Sequence, residues 1–186
     1  YPSNSMSVVP NGINLNNFRP DPEAYDSFRR EHNLAASTML IGLLARYDPQ
    51  KDHETFINAA CLLASSKTNV HFLLAGTNVT WTNSKLADKI REHALESRFH
   101  LLGPQTGLSR IIAALDVLTS TSSYGEGFPN IIGEAMASGV PCVATDVGDS
   151  AFVVGDYGRM IPVKNPTILA QTWKEVLNQG TKARKQ

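Results

Sequence analysis

Residues 123–136, SYGEGFPNIIGEAM, hold two glutamates, Glu126 and Glu134, in an otherwise uncharged run, with Gly125 and Gly127 around the first and Pro129 between the two. Pro129 suits the first position of a helix, and the amides of Asn130 and Ile131 behind it would then be free donors at the positive end of the helix dipole. Such an end binds phosphate. Five residues beyond Pro129, Glu134 falls ~7 to 8 Å along the helix, roughly a pyrophosphate-to-ribose separation. A carboxylate accepts two hydrogen bonds side by side, which suits the vicinal hydroxyls of a ribose. Glu126, nearer the helix end, would reach hydroxyls of a group carried on the distal phosphate. Gly125 and Gly127 allow close backbone approach to a ligand, and serve equally well as plain turn residues. Taken alone, Glu134 reads as one of a solvated stripe with Asn130 and Ser138, opposite the apolar Ile131, Ile132, Ala135 and Met136.

The elements that must position these residues follow from hydrophobic periodicity. Short apolar runs at 39–45, 70–75, 99–103, 116–120, 141–145 and 158–163 read as six strands, mostly apolar throughout, as a parallel sheet covered on both faces requires. Between them Phe56, Ile57, Ala60, Cys61 and Ala64, and then Leu86, Ile90 and Ala94, recur at helical spacing. A shorter helix is expected over 108–115, one from Pro129, and a last one over 167–178 with Gly180 as its cap. Residues 6–9 followed by Pro10, Asn11 and Gly12 suggest a leading strand and turn, and DPEAYDSFRREH a first helix with Pro22 near its start. The pattern is that of an α/β chain, a doubly wound Rossmann-like domain with a six-stranded parallel sheet. In the common strand order 3-2-1-4-5-6 the loops after strands 1 and 4 diverge and open a crevice. The first loop carries Arg46 and Lys51, the second Glu126. The two cations also have plain readings, as a surface ion pair and a solvated helix start. Their convergence with the glutamates and the helix end on one crevice points to a nucleotide or sugar-nucleotide site.

Composition narrows the classes. The 186 residues are 42% hydrophobic, which suits a single domain over 1–186. Lys plus Arg and Asp plus Glu both number 17, so no overall field draws the chain to nucleic acid or an anionic surface. The cluster Lys182, Arg184 and Lys185 reads as a solvated tail. Cys61 and Cys142 lie in apolar runs without metal-ligand or redox spacing and read as small buried hydrophobes of a reducing compartment. The five histidines show no ligand spacing and there is no D-x-D triplet, so neither metal nor cofactor is expected. No apolar run approaches the ~18 residues of a membrane span, and the first residues lack the regions of a signal peptide.

Several segments together resemble one family: the carboxyl-terminal, donor-binding domain of retaining glycosyltransferases of the GT-B architecture, the group 1 family. They are VVPNGIN at 8–14, ARYDPQKDHETFINAA at 45–60, FHLLGP at 99–104 and EGFPNIIGEAMASGVPCVATDVG at 126–148, with Glu126 and Glu134 as the family's glutamate pair. The resemblance spans nearly the whole chain. It implies that Arg46 and Lys51 bind the diphosphate of a UDP-sugar, GDP-sugar or other nucleotide-sugar donor, that Glu134 binds the ribose and that Glu126 contacts the sugar. The backbone around Phe128, Asn130 and Ile131 would hold the phosphate, and Gly103, Pro104 and Gln105 border the base. Departure of a nucleoside diphosphate builds negative charge that Arg46 and Lys51 would stabilise, with retention and without metal. Where family members often have a glycine pair and a glutamate, this chain reads VGDSAFVV. The chain begins at Tyr1 and is expected to be one half of a GT-B fold. The amino-terminal domain is absent from it, so a glycan or lipid-linked acceptor, and any peripheral contact with the inner face of a membrane, would come through that missing part. The isolated domain is expected to transfer nothing. The resemblance further implies a cytoplasmic enzyme of surface polysaccharide synthesis.

Alternatives are another sugar-nucleotide enzyme of the same architecture, such as an epimerase or a phosphorylase, and a non-catalytic nucleotide-binding module. A dinucleotide dehydrogenase is disfavoured because the G-x-G-x-x-G turn ends on Asn130 and follows strand 4 rather than strand 1. No lysine is marked out for the pyridoxal phosphate a phosphorylase needs.

Overall fold

A computed structural model of the protein describes residues 9–179. Six strands, β1 (Met39–Leu44), β2 (Val70–Ala75), β3 (Phe99–Leu101), β4 (Val117–Ser120), β5 (Cys142–Thr145) and β6 (Arg159–Ile161), form one sheet in the order β3-β2-β1-β4-β5-β6. Every pairing is parallel, and β1 to β2 runs in register from Met39 against Val70 to Leu44 against Ala75. This is the doubly wound sheet expected from the alternating apolar runs. β1, β3 and β6 end a residue or two inside their expected bounds, where the backbone turns away into the following loops.

Helices cover both faces: α1 (Pro22–Glu31), α2 (His53–Ala64), α3 (Ser84–Glu92), α4 (Leu108–Ala113), α5 (Asn130–Ala137), α6 (Ser150–Val154) and α7 (Pro166–Gln179). On one face α2, α3 and α7 bury a core around Phe56, Phe72, Phe99 and Trp173, whose rings meet at centroid separations between 4.9 and 6.5 Å. The Trp173 indole donates to Thr119 Oγ1 at 2.9 Å, so the last helix is tied to β4 through a satisfied polar contact. On the other face Phe28, Ile111, Ile112, Ile132, Ala135 and Val154 pack against alternate residues of the same strands. Here α1 starts at Pro22 with Asp21 as its cap, and it is locked to the amino ends of the central strands by the buried Arg29, which pairs with Asp116 at 2.7 Å while Asp116 accepts the Leu40 amide at 2.8 Å.

Four local expectations need correction or fall outside the described residues. Ala94 is not in α3: the helix stops at Glu92, and Ala94 has φ of +52°, a left-handed turn that ends the stripe at Ile90. Val9 to Ile13 is irregular rather than strand and turn, and the turn comes later, at 15–17. Residues 6–8 and Gly180, with the basic tail, lie outside the described residues. Cys142 is buried, its thiol pushed up to about 12 by burial, whereas Cys61 is half-buried on α2.

Candidate functional site

The strand order reverses between β1 and β4, and the two outgoing loops enclose a cavity of about 320 Å³ there. Its walls include Arg46 and Lys51 from the first loop, Glu126, Phe128, Asn130 and Ile131 from the second, and Thr119, Ser120 and Ser122 from the end of β4.

The first loop is shaped by two aspartates. Asp48 Oδ1 accepts the Gln50 amide at 2.9 Å and starts a short 3-10 turn, Pro49–Lys51. The Asp48 carboxyl sits below its usual range, chiefly because of that amide and then the Arg46 guanidinium. Asp52, at φ of +46°, caps α2 by accepting the Thr55 amide at 3.1 Å and the Thr55 hydroxyl at 2.7 Å. Lys51 is thereby held between a turn and a helix start. Its carbonyl accepts the Thr121 hydroxyl at 2.8 Å.

The second loop is folded around Glu126. Lys51 Nζ donates to Glu126 Oε1, and Ser122 Oγ donates to the same oxygen at 2.5 Å. Ser122 is fixed in turn by the Thr145 hydroxyl, which donates to its carbonyl at 2.5 Å. Burial is the largest single influence on the Glu126 carboxyl and pushes its pKa up. Together, the bonds from Lys51 and Ser122 and the charges of Lys51 and Arg46 outweigh burial, so the net displacement is downward and Glu126 stays ionised. Gly148, at φ of +57°, passes so close that a Cβ there would overlap the Glu126 carbonyl oxygen.

Behind this loop α5 begins at Asn130 with Pro129 as its cap and no side-chain capping bond. The Ile132 amide is bonded to the Pro129 carbonyl at 3.0 Å, whereas among the described residues the amides of Asn130 and Ile131 have no partner. They are the free donors expected at this helix end. The irregular segment after Val9 lies against the same helix: Asn11 Nδ2 donates to Asn130 Oδ1 at 3.0 Å and the Ile13 side chain packs on Gly133.

Glu134 sits one turn along α5 from Asn130, half-buried and with no side-chain partner among the described residues; burial alone raises its pKa. Its place is thus not that of a fully solvated stripe residue. Glu134, Gly125 and Gly127 do not line the cavity themselves, and Gly103, Pro104 and Gln105 lie at the end of β3, two strands away. Gly103 joins the loop after β2, its amide bonded to the Val79 carbonyl at 2.9 Å and its carbonyl to the Gly76 amide at 2.8 Å. Beneath the first loop His53 is buried, tilted against Tyr47 at 5.2 Å, with no ring nitrogen in good hydrogen-bond geometry among the described residues; burial, partly offset by the nearby Ala45 backbone, pushes its pKa down to about 4. Among the described residues no group of three or more His, Cys, Asp or Glu side chains is placed to hold a metal ion, and no helix is long and apolar enough to cross a membrane.

Sequence reasoning missed Gln50, Ser122 and Gly148. Ser122 and Gln50 carry no signal of type or spacing, but Gly148 stood within the segment after the fifth strand where the chain departs from its family.

A six-stranded parallel sheet with Arg46, Lys51, Glu126 and a free helix end at its switch point is a Rossmann-like domain of the GT-B type. The chain belongs to the glycosyl transferases group 1, whose family profile matches residues 38–179. Two relatives illustrate the likeness. A phosphatidyl-myo-inositol mannosyltransferase of Mycolicibacterium smegmatis is 31% identical over 162 residues, 83% of this chain and 38% of its own. The UDP-Gal:alpha-D-GlcNAc-diphosphoundecaprenol alpha-1,3-galactosyltransferase of Escherichia coli is 26% identical over 155 residues, 82% of this chain and 40% of its own. In structure, Anabaena HepE, crystallised with UDP-glucose, superposes with a TM-score of 0.84 at 24% identity, over 94% of this chain and 48% of HepE, a likeness of fold. The chain spans less than half the length of the curated relatives it matches, for example 36% and 43%.

Proposed function

We propose that this chain is the donor-binding half of a retaining glycosyltransferase that moves a hexose from a nucleoside-diphosphate sugar, with UDP as the first candidate carrier, to a hydroxyl acceptor. The observation that carries the reading is the meeting of Arg46, Lys51, Glu126 and the unpaired Asn130 and Ile131 amides around one cavity at the switch point. The donors named for HepE and for the galactosyltransferase, UDP-glucose and UDP-Gal, support uridine.

In this reading the diphosphate lies against the amino end of α5 near Phe128, with Arg46 and Lys51 on its oxygens. As the sugar leaves, charge grows on the diphosphate, and Arg46, the α5 amides and Lys51, once drawn from Glu126, stabilise it. Glu134 takes the ribose hydroxyls, Glu126 a sugar hydroxyl, Gly125 and Gly127 let the loop approach, and Gly103 to Gln105 border the base. The cations and amides neutralise the diphosphate, so no metal is invoked. The acceptor, glycan or lipid-linked, is held by the remainder of the enzyme, and transfer requires that remainder.

Calorimetric titration of the chain with UDP, GDP and ADP tests the proposal. Selective binding of one diphosphate, weakened by substitution of Lys51, supports it; failure of all three, repeated on the full-length enzyme, sinks it.

A further inference from the structure

We infer that Gln50 is a positioning residue of this site, which fixes the Arg46 guanidinium against the loop that carries Glu126. The inference rests on the donor-site reading above. Gln50 Oε1 accepts from Arg46 Nη2 at 3.1 Å, and its Nε2 donates to the Gly125 carbonyl at 2.8 Å across a sequence separation of 75. Its backbone is engaged on both sides too, the amide by Asp48 Oδ1 at 2.9 Å and the carbonyl by the Ser123 amide at 2.8 Å. Two of these four bonds lie within its own loop and two cross to the loop of Glu126.

The chemistry of the amide explains why this side chain serves. It must accept from a guanidinium and donate to a carbonyl at the same time; a carboxylate lacks the donor and an ammonium lacks the acceptor. Arg46 is 56% exposed, and an exposed arginine left to itself spreads over many rotamers. Gln50 Oε1 on Nη2 and Asp48 on Nε at 3.3 Å hold it in one, so less ordering remains to be done when an anion arrives. Gly125, at φ of +68°, brings its backbone so near that a Cβ there would stand 3.3 Å from Gln50 Nε2. The loop and the amide are fitted to each other. Gln50 is only half-buried and lies in a surface loop, so the hydrophobic core does not rest on it.

A double-mutant cycle tests this, read by titration with UDP and, in parallel, GDP and ADP. Gln50→Ala is expected to weaken the diphosphate that binds by about fivefold to tenfold, while the thermal midpoint stays within about 2 °C. In an Arg46→Ala background the same substitution is expected to change affinity less than about twofold, because Gln50 acts through Arg46. Full additivity, or unchanged affinity in the single variant, overturns the inference. Hydrogen exchange supplies a reading independent of ligand: Gln50→Ala should speed exchange at the amides of Ser123 and Asp149, which are bonded to the Gln50 and Gly127 carbonyls, and leave β1 and β4 protected. If no diphosphate binds the unsubstituted chain or the full-length enzyme, the donor-site reading fails. Faster loop exchange would then still uphold the link made by Gln50, and unchanged exchange would overturn that as well.

Discussion

Lys51 and Glu126, separated by 75 residues, are ion-paired across the cavity, with side chains only 19% and 9% exposed. The pair ties the loop after β1 to the loop after β4. On the proposed reading it also occupies the ammonium a diphosphate would use, so a phosphate would compete with the Glu126 carboxylate for Lys51.

Glu126→Gln should separate the two partners' roles. Freed of a charge-assisted bond worth ~1.5 to 3 kcal/mol, Lys51 turns to the ligand, and UDP is expected to bind about threefold to tenfold tighter. UDP-sugar turnover by the full-length enzyme should fall in the same variant, since the sugar loses its carboxylate. Weaker UDP binding in calorimetry would place Glu126 on the nucleotide itself.

Glu134→Ala should weaken diphosphate binding at least about tenfold without unfolding the domain, because it removes charge-assisted bonds of ~1.5 to 3 kcal/mol each. Burial raises this carboxyl's pKa. Its contribution should therefore fade on acidification earlier than that of an ordinary glutamate, which titrates near ~4.3. Titrations at descending pH on both proteins would show it as a falling ratio of affinities; a constant ratio assigns Glu134 no charged contact.

His53 makes the fold sensitive to acid. Its folded pKa, about 4, lies below the ordinary 6.5, so the unfolded chain takes up the proton first. The stability this neutral imidazole contributes is complete above 6.5 and is lost as pH falls towards 4, by about 3 kcal/mol in total. His100, also lowered to about 4 by burial and by His71 and His32, acts with the same sign. Urea midpoints should decline over this range, and the decline should be shallower in His53→Phe. Equal slopes would clear His53.

Gly148→Ala should cost on the order of 1 to 3 kcal/mol, since alanine is strained at φ of +57° and its Cβ overlaps the Glu126 backbone. Diphosphate binding should change with it because the Glu126 loop must shift. Denaturant unfolding of the variant measures the first effect, and a normal midpoint would show that the loop yields freely.

The sheet was legible because each parallel strand is an apolar run flanked by helical stripes, and Arg46, Lys51, Glu126, Phe128, Asn130 and Ile131 converge because strand order alone makes neighbours of their loops. What periodicity could not reveal depends on backbone path. The left-handed turn at Ala94 breaks a stripe that side-chain type alone would continue, and the segment from Asn11 to Ile13, expected to start in a plain turn, runs on along α5. Gln50 and Ser122 owe their places to hydrogen bonds between loops distant in sequence, for which residue type gives no cue. Glu134 was readable as a stripe residue or a ligand contact, and the structure finds it half-buried, without a side-chain partner among the described residues and outside the cavity wall.

Thr119, at the cavity wall, also receives the hydrogen bond of the fully buried Trp173. The indole is thus wired to the wall of the cavity while its ring stays sealed in the core. Trp81 is 37% exposed, so the two tryptophans report on different surroundings. The molecule carries its own optical gauge: emission from Trp173 registers movement of β4 beneath a ligand, with no label attached.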